Sequence, residues 1–303
     1  MNFFTTPLFA LLVFTIAACD SGEVNTPFPL QPSAPAELRA ASGSAALFLS
    51  WKHSSDVDHP EFAGYRVAVR LSGDSVRQQL DLDKDSSVLV TGLTNGKLYT
   101  VDVFARTMAG TLSATYASIE WAPAERRAQD AANQPLRVYA VTATGYPAAV
   151  DLWTPDYGTE LLHLNTPAFR ERASLYVHTI GIGSALIIRS PELAFDPGPR
   201  TRFADWTNSA YAAEANSLNE QLASSPPDTA AYTATFITLP NGTYPKGRVY
   251  FGKLLRPGGD IYFRMLVKRG PNGRMVQGIG DNRYIEIEVS VQSVAGNHFA
   301  KRG

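Results

Sequence analysis

Few residues in this chain of 303 have the chemistry to act. Its five histidines stand apart, at positions 53, 59, 163, 178 and 298. Only in Ser54-Ser55-Asp56-Val57-Asp58-His59-Pro60 do carboxylates and an imidazole fall together. Such oxygen and nitrogen donors suit a hard or borderline cation held weakly. The serines and proline around them equally make a solvated loop between two strand patterns. That simpler reading is preferred, and no metal site is assigned. One cysteine excludes an internal disulfide framework and any cysteine-based zinc site. The chain lacks a Gly-x-Ser-x-Gly elbow, a His-Glu-x-x-His pair and a Walker loop. Gly181-Ile182-Gly183 lacks the third glycine of a dinucleotide fingerprint and sits in β-like sequence, where it reads as a bulge or turn. Phosphoryl transfer, hydride transfer and zinc hydrolysis therefore have no constellation behind them. A glycosidase could draw two carboxylates from distant strands, but nothing selects the pair. No catalytic residue and no cofactor is assigned.

Composition narrows the classes further. Hydrophobic residues are 45% of the chain and charged residues 18%, enough to bury a core. Against 28 acidic residues stand 27 Lys and Arg, a net charge of -1. A nucleic-acid binder needs a basic surface to neutralise phosphates, so that partner is excluded. The 20 prolines and 23 glycines, with few long helical patterns, predict β-structure rich in turns. The length predicts two domains.

Pro7 to Ala18, PLFALLVFTIAA, is an apolar run too short to span a bilayer and of the size of a secretory h-region. It ends on Ala17-Ala18, directly before Cys19, the only cysteine. This resembles the lipobox of bacterial lipoproteins, although Met1 to Thr6 carries no Lys or Arg. The resemblance implies cleavage after residue 18 and diacylglyceryl and palmitoyl chains on Cys19. Such chains hold a protein on a membrane at about 0.8 kcal/mol per buried CH₂. The implied place is the bacterial cell envelope, the outer membrane preferred to the inner. Asp20 retains lipoproteins in the inner membrane of some enteric bacteria, a rule that does not transfer to all groups, so both stay open. Residues 19–31 are polar and proline-rich and predict a flexible tether.

From residue 32 to 123 short alternating runs recur at even spacing, the mark of an all-β sandwich. Leu47, Leu49 and Trp51 share one strand face, and Tyr65, Val67 and Val69 share another. Asn95-Gly96 turns the chain into a strand opened by Tyr99, whose hydroxyl can reach back to the backbone near Leu93. With Pro35, Leu38, Trp51 and Tyr65, this pattern resembles a fibronectin type III domain. The resemblance implies a spacer or adhesive module without catalytic residues, in which Trp51, Tyr65, Leu93 and Tyr99 are core.

Residues 124–134 are polar and alanine-rich and read as a linker between two cores. Residues 135–294 predict a second, mainly antiparallel β domain, followed by a tail over 295–303. Alanines with Leu218 and Leu222 at helical spacing predict one short helix over Thr207 to Ala223. Pro257-Gly258-Gly259-Asp260 predicts a hairpin turn into Ile261 to Lys268. Tyr284 to Val291 predicts a last strand with Ile285, Ile287, Val289 and Val291 inward and Glu286, Glu288 and Ser290 in water. In the order of its elements this region resembles the haem-capturing, HmuY-like lipoproteins of Gram-negative envelopes. That resemblance implies axial ligands among His163, His178, Met265 and Met275; half-buried strand histidines are the simpler reading.

The favoured function is a non-enzymatic envelope lipoprotein, its first domain a spacer and its second a binding or assembly module. Trp153, Tyr157, Trp206 and Tyr211, on loop-like stretches, are the expected contacts for a glycan or protein partner. The alternatives are an envelope polysaccharide hydrolase or its accessory, and a haem-binding lipoprotein.

Overall fold

Alternation of apolar and polar residues builds the first half strand by strand. The computed structural model describes residues 29–73, 76–130, 132–154, 159–180, 185–195, 199–204, 212–220, 222–223 and 228–297. Its first strands are β1 (Ala36–Gly43), β2 (Ala46–Lys52), β3 (Phe62–Leu71), β4 (Val76–Leu82), β5 (Ser87–Thr91), β6 (Tyr99–Thr107) and β7 (Ala117–Trp121). They pair antiparallel in the orders β1-β2-β5 and β4-β3-β6-β7. Leu47, Leu49 and Trp51 on β2 and Tyr65, Val67 and Val69 on β3 are all buried, as period two demands. Tyr65 meets Trp51 and Phe62 edge-to-face, each at 5.4 Å between ring centroids. The Tyr99 hydroxyl accepts a hydrogen bond from the Thr94 backbone N–H at 3.0 Å, closing the corner before β6.

The second half continues with β8 (Glu125–Arg127), β9 (Leu136–Tyr139), β10 (Ala149–Asp151), β11 (Glu160–Leu162), α1 (Pro167–Arg172), β12 (Leu175–Thr179) and β13 (Leu186–Arg189). After these come β14 (Arg200–Ala204), β15 (Ala212–Ala215), β16 (Tyr232–Ala234), β17 (Phe236–Thr238), β18 (Gly247–Leu255), β19 (Ile261–Val267) and β20 (Tyr284–Val291). One sheet runs β11-β10-β12-β13-β17. A larger one runs β16-β14-β18-β19-β20-β8, with β15 also on β18 and β9 also on β20. Val150, Val177 and Ile188 from the smaller sheet meet Phe203, Phe263, Met265, Ile285 and Ile287 from the larger in one core. The fold is all-β with a short helix.

The helix is not where alanine spacing puts it. Within Thr207 to Ala223, the described residues form β15, hydrogen-bonded to β18, and a 3₁₀ turn at Leu218–Glu220. Helix propensity separates these residues by only tenths of a kcal/mol, and a free sheet edge offers a full ladder of hydrogen bonds. Among the described residues the one α-helix is α1, opened by Thr166 and Pro167. Proline at the first helical position gives up no needed hydrogen bond.

The last strand departs from expectation on one face only. Ile285, Ile287, Val289 and Val291 point into the core, but Glu288 and Ser290 are buried as well. They are covered because Arg126, Ser42 and the turn at Ser217–Asn219 lie against this face. Arg264 on β19, the largest fully buried side chain described, donates from Nη2 to the Ser42 carbonyl at 2.8 Å. Burial pushes its pKa down to about 9; the neighbouring Arg126 adds to this and Glu288 opposes it. Arg126 pairs with the Glu288 carboxylate and also donates to Asn219 Oδ1 and, at 3.0 Å, to Ser217 Oγ. Ala40 and Ala223 exchange backbone hydrogen bonds at 2.9 and 3.0 Å. The Asn95-Gly96 turn packs so tightly on the second half that a Cβ at Gly96 would sit 2.5 Å from Ser293 Oγ. Within the segment read as a linker, β8 pairs with β20 and joins the larger sheet. The two halves are thus welded rather than strung together.

Tyr250 on β18 lies in the core, and desolvation pushes its hydroxyl up to about 12. A tyrosine raised in the folded state contributes stability below pH 10 that is lost as pH climbs through its folded pKa. Tyr250→Phe should therefore gain about 2 kcal/mol on the unsubstituted protein between pH 9.5 and 11.5. Urea denaturation at the two pH values measures it; a pH-independent difference would refute the assignment.

Candidate binding surface

Four of the residues singled out by sequence, Cys19, Tyr157, Trp206 and Tyr211, lie outside the described residues. Trp153 is half-buried against the main core, its backbone N–H donating to Asp151 Oδ1 at 2.9 Å. The candidate haem ligands are not gathered. Met265 and Met275 are fully buried inside the sandwich. His178 follows Val177, which faces that core, and so shares the opposite face with Tyr176, whose ring it meets edge-on at 6.2 Å. The two methionines therefore lie on the other side of the smaller sheet's strand from His178, and His163 follows β11 in a loop. At the acidic loop, Asp56 accepts from the Ser33 backbone N–H at 2.7 Å, and this bond holds its carboxyl below the ordinary range. His59 Nδ1 accepts from the Glu61 N–H at 3.1 Å. The loop is tied by its own backbone, and no group of three or more metal-ligating side chains occurs among the described residues.

A cleft of about 320 Å³ opens between the halves, lined by Glu37, Arg39, Trp51, Lys52, Glu220 and Leu222. Two carboxylates face it, the arrangement a glycosidase would need. Glu37 is paired with Lys52 at 3.6 Å. A hydrogen bond from Lys246 holds the Glu220 carboxyl below the ordinary glutamate range. A general acid needs the reverse shift, so Glu220 is unsuited to donate a proton near neutral pH.

The surface with unspent binding capacity lies at one end of the second half. Tyr139 ends β9 and pairs with Tyr284, which opens β20. Their rings lie 5.0 Å apart, and Tyr146 stacks on Tyr139 at 4.3 Å and 20°. Arg137, two residues before Tyr139 on the same strand face, lies over the Tyr284 ring at 5.3 Å. Burial in this stack pushes the Tyr139 hydroxyl up, with Arg137 opposing. Around the stack, Val141 is 39%, Tyr146 45%, Ile180 46% and Ile279 86% exposed. Hydrogen bonds bring their loops together. The Val141 N–H donates to the Val177 carbonyl at 3.0 Å, and Thr142 Oγ1 donates to the Asp281 carbonyl at 3.3 Å. Ile279 stands between Gly278 and Gly280, both left-handed in φ, above a bridge that joins Gln277 to Tyr284. A Cβ at Gly278 would lie 2.3 Å from the Asn282 carbonyl oxygen, so glycine is required for this tip.

Sequence reasoning passed over these residues. Alternation held the signal: Leu136 and Val138 point inward, which sets Arg137 and Tyr139 outward beside the outward residues of the last strand.

The fibronectin type III family model matches residues 33–120. Residues 33–120 are a fibronectin type III domain. Solved structures similar to the chain include a myokine at 21% identity, covering 30% of this chain and 98% of that one, with a TM-score of 0.26. The FN5 domain of Drosophila Lar is 21% identical over 31% of this chain and 99% of its own, TM-score 0.24. The Clostridium perfringens spore cortex lytic enzyme SleM is 22% identical over 29% of this chain and 27% of its own, TM-score 0.24. No curated protein matches the chain. In the fibronectin type III domain, Trp51, Tyr65, Leu93 and Tyr99 are buried and serve as core.

Proposed function

We propose that the protein is a non-enzymatic lipoprotein of the bacterial cell envelope, at the outer rather than the inner membrane, held by acyl chains on Cys19. The fibronectin type III domain braces the second β-sandwich, which presents a binding surface at its Tyr139 end. The placement of the only cysteine directly after Ala17-Ala18 supports the anchor. The observation that carries the binding role is the exposure of Val141, Tyr146, Ile180 and Ile279 on loops that hydrogen bonds join at the end bearing the tyrosine stack. Exposed apolar side chains scattered singly need no explanation, whereas a rimmed cluster marks a contact. Among the described residues no helix is long and apolar enough to cross a membrane.

Cys19→Ser tests the anchor. The unsubstituted chain should incorporate palmitate and pellet with membranes, and the variant should lose both. A variant that still takes palmitate or still pellets in full would overturn the lipoprotein reading. Release of reducing sugar from envelope polysaccharide by the pure protein would overturn the non-enzymatic one.

A further inference from the structure

The exposed end around Ile279 combines apolar, aromatic and basic side chains. Ile279 stands outermost, on a loop pinned by its two glycines and by the Arg283 Nε hydrogen bond to the Gly280 carbonyl at 2.9 Å. The same end carries the stacked Tyr146, Tyr139 and Tyr284, with Arg137 over the Tyr284 ring. An exposed isoleucine, tyrosines and arginines are the kinds of side chain that suit the boundary between acyl chains, headgroups and water.

The path of the chain points the same way. At one end of β1, the Gly43 carbonyl accepts from the Ala124 N–H at 3.2 Å, level with Glu125 and its partner Val291. At the other end, Glu37 shares the interdomain cleft with Glu220, which accepts from Lys246 Nζ at 3.1 Å. Lys246 leads into β18, where Arg248 pairs with Val267 and Val267 in turn with Ile287. β1 therefore runs beside the larger sheet, and its first residues lie towards the Tyr284 end. The chain enters the sandwich from the end that bears Ile279, and Cys19 precedes Ala36 by 17 positions.

We propose that this end docks on the bilayer surface itself, with Ile279 entering the headgroup boundary and Arg283 facing anionic lipid phosphates, while Arg137 stays paired with Glu286 at 3.6 Å. The proposal rests on the lipoprotein reading for its setting, since the acyl anchor brings this end to the membrane; in the test below, vesicles in excess supply the lipid in its place. The contact fixes the orientation of the module on the membrane and leaves the fibronectin type III strands facing sideways.

The test uses the full chain with Cys19→Ser and Ile279→Cys, so that one thiol carries an environment-sensitive fluorophore at the apex. Vesicles of phosphatidylcholine with about a third phosphatidylglycerol should blue-shift the label and lower its quenching by aqueous iodide on the order of tenfold. The same label on Ser72→Cys, after β3 at the opposite end of the first domain, should not respond. No change at position 279 would overturn the proposal and leave the surface to a protein partner. Equal changes at both positions would overturn it as general adsorption. Palmitate incorporation by the unsubstituted chain is read separately. A chain that takes palmitate but shows no shift keeps the anchor and loses this docking, and a shift without palmitate does the reverse.

Discussion

Glu288→Ala is expected to destabilise the protein by about 3 kcal/mol and to set the unfolding of the two halves further apart. Glu288 is buried on β20 and is paired with Arg126, while Arg264 lies fully buried beside them. Removing the carboxylate leaves two guanidinium groups facing each other in a site with little water. Breaking a buried pair from one side costs more than the pair contributes, because the remaining charge stays desolvated. Arg126 is 20% exposed, so solvent screens part of that cost. The site also joins the halves, since Arg264 donates to Ser42 in the first domain. Urea denaturation followed by near-ultraviolet and far-ultraviolet signals measures both effects. A change under 1 kcal/mol with coincident transitions would mean that the halves are held by the Gly96 contact and the Ala40–Ala223 bridge alone. Glu288→Gln, which keeps the hydrogen-bond acceptor and removes the charge, should fall between.

The same carboxylate shows where sequence reading stops. Period two predicts which side chains of Tyr284–Val291 enter the core, because that choice depends only on the strand. Whether the other face meets water depends on what lies over it, here residues far earlier in the chain, up to 222 positions for the Ser42–Arg264 contact. Ser42 and Arg264 touch across that distance, and neither carries a mark of the other. The alanine run before Ala223 failed for a related reason. Its weak helical preference gives way to a sheet edge whose presence it cannot encode. The Tyr99 corner succeeded because its partner is five residues away, and the Pro257–Asp260 hairpin because its turn is local. The tyrosine stack lies between these cases. Tyr139 and Tyr284 could each be placed outward from alternation, but their pairing needs the register of β9 on β20. Tyr146 joins only through the loop fold after β9.

Tyr65→Ala is expected to cost about 3–5 kcal/mol and to unfold the fibronectin type III domain under conditions in which the second sandwich persists. The ring is fully buried, edge-on to both Trp51 and Phe62, and its loss leaves those two rings facing a void. The hydroxyl accepts from the Ser54 N–H at 3.0 Å and lies 3.1 Å from His53 Nδ1, tying the strand to the acidic loop. Desolvation raises its pKa, so the group is neutral and acts here as a hydrogen-bond partner. Tyr65→Phe separates the two contributions: it keeps the rings packed, removes the hydroxyl and should cost about 1–2 kcal/mol. Leu89→Ala, at an exposed position on edge strand β5, should stay within about 0.5 kcal/mol. The measurement is chemical denaturation of the full chain, read by tryptophan fluorescence because Trp51 borders the void. If Tyr65→Ala matched Leu89→Ala, the ring would not be organising this core, and the domain's stability would have to come from its contact with the second sandwich. If Tyr65→Ala also dissolved the second sandwich, the weld through Arg264 and Glu288 would be strong enough to make the two halves one cooperative unit.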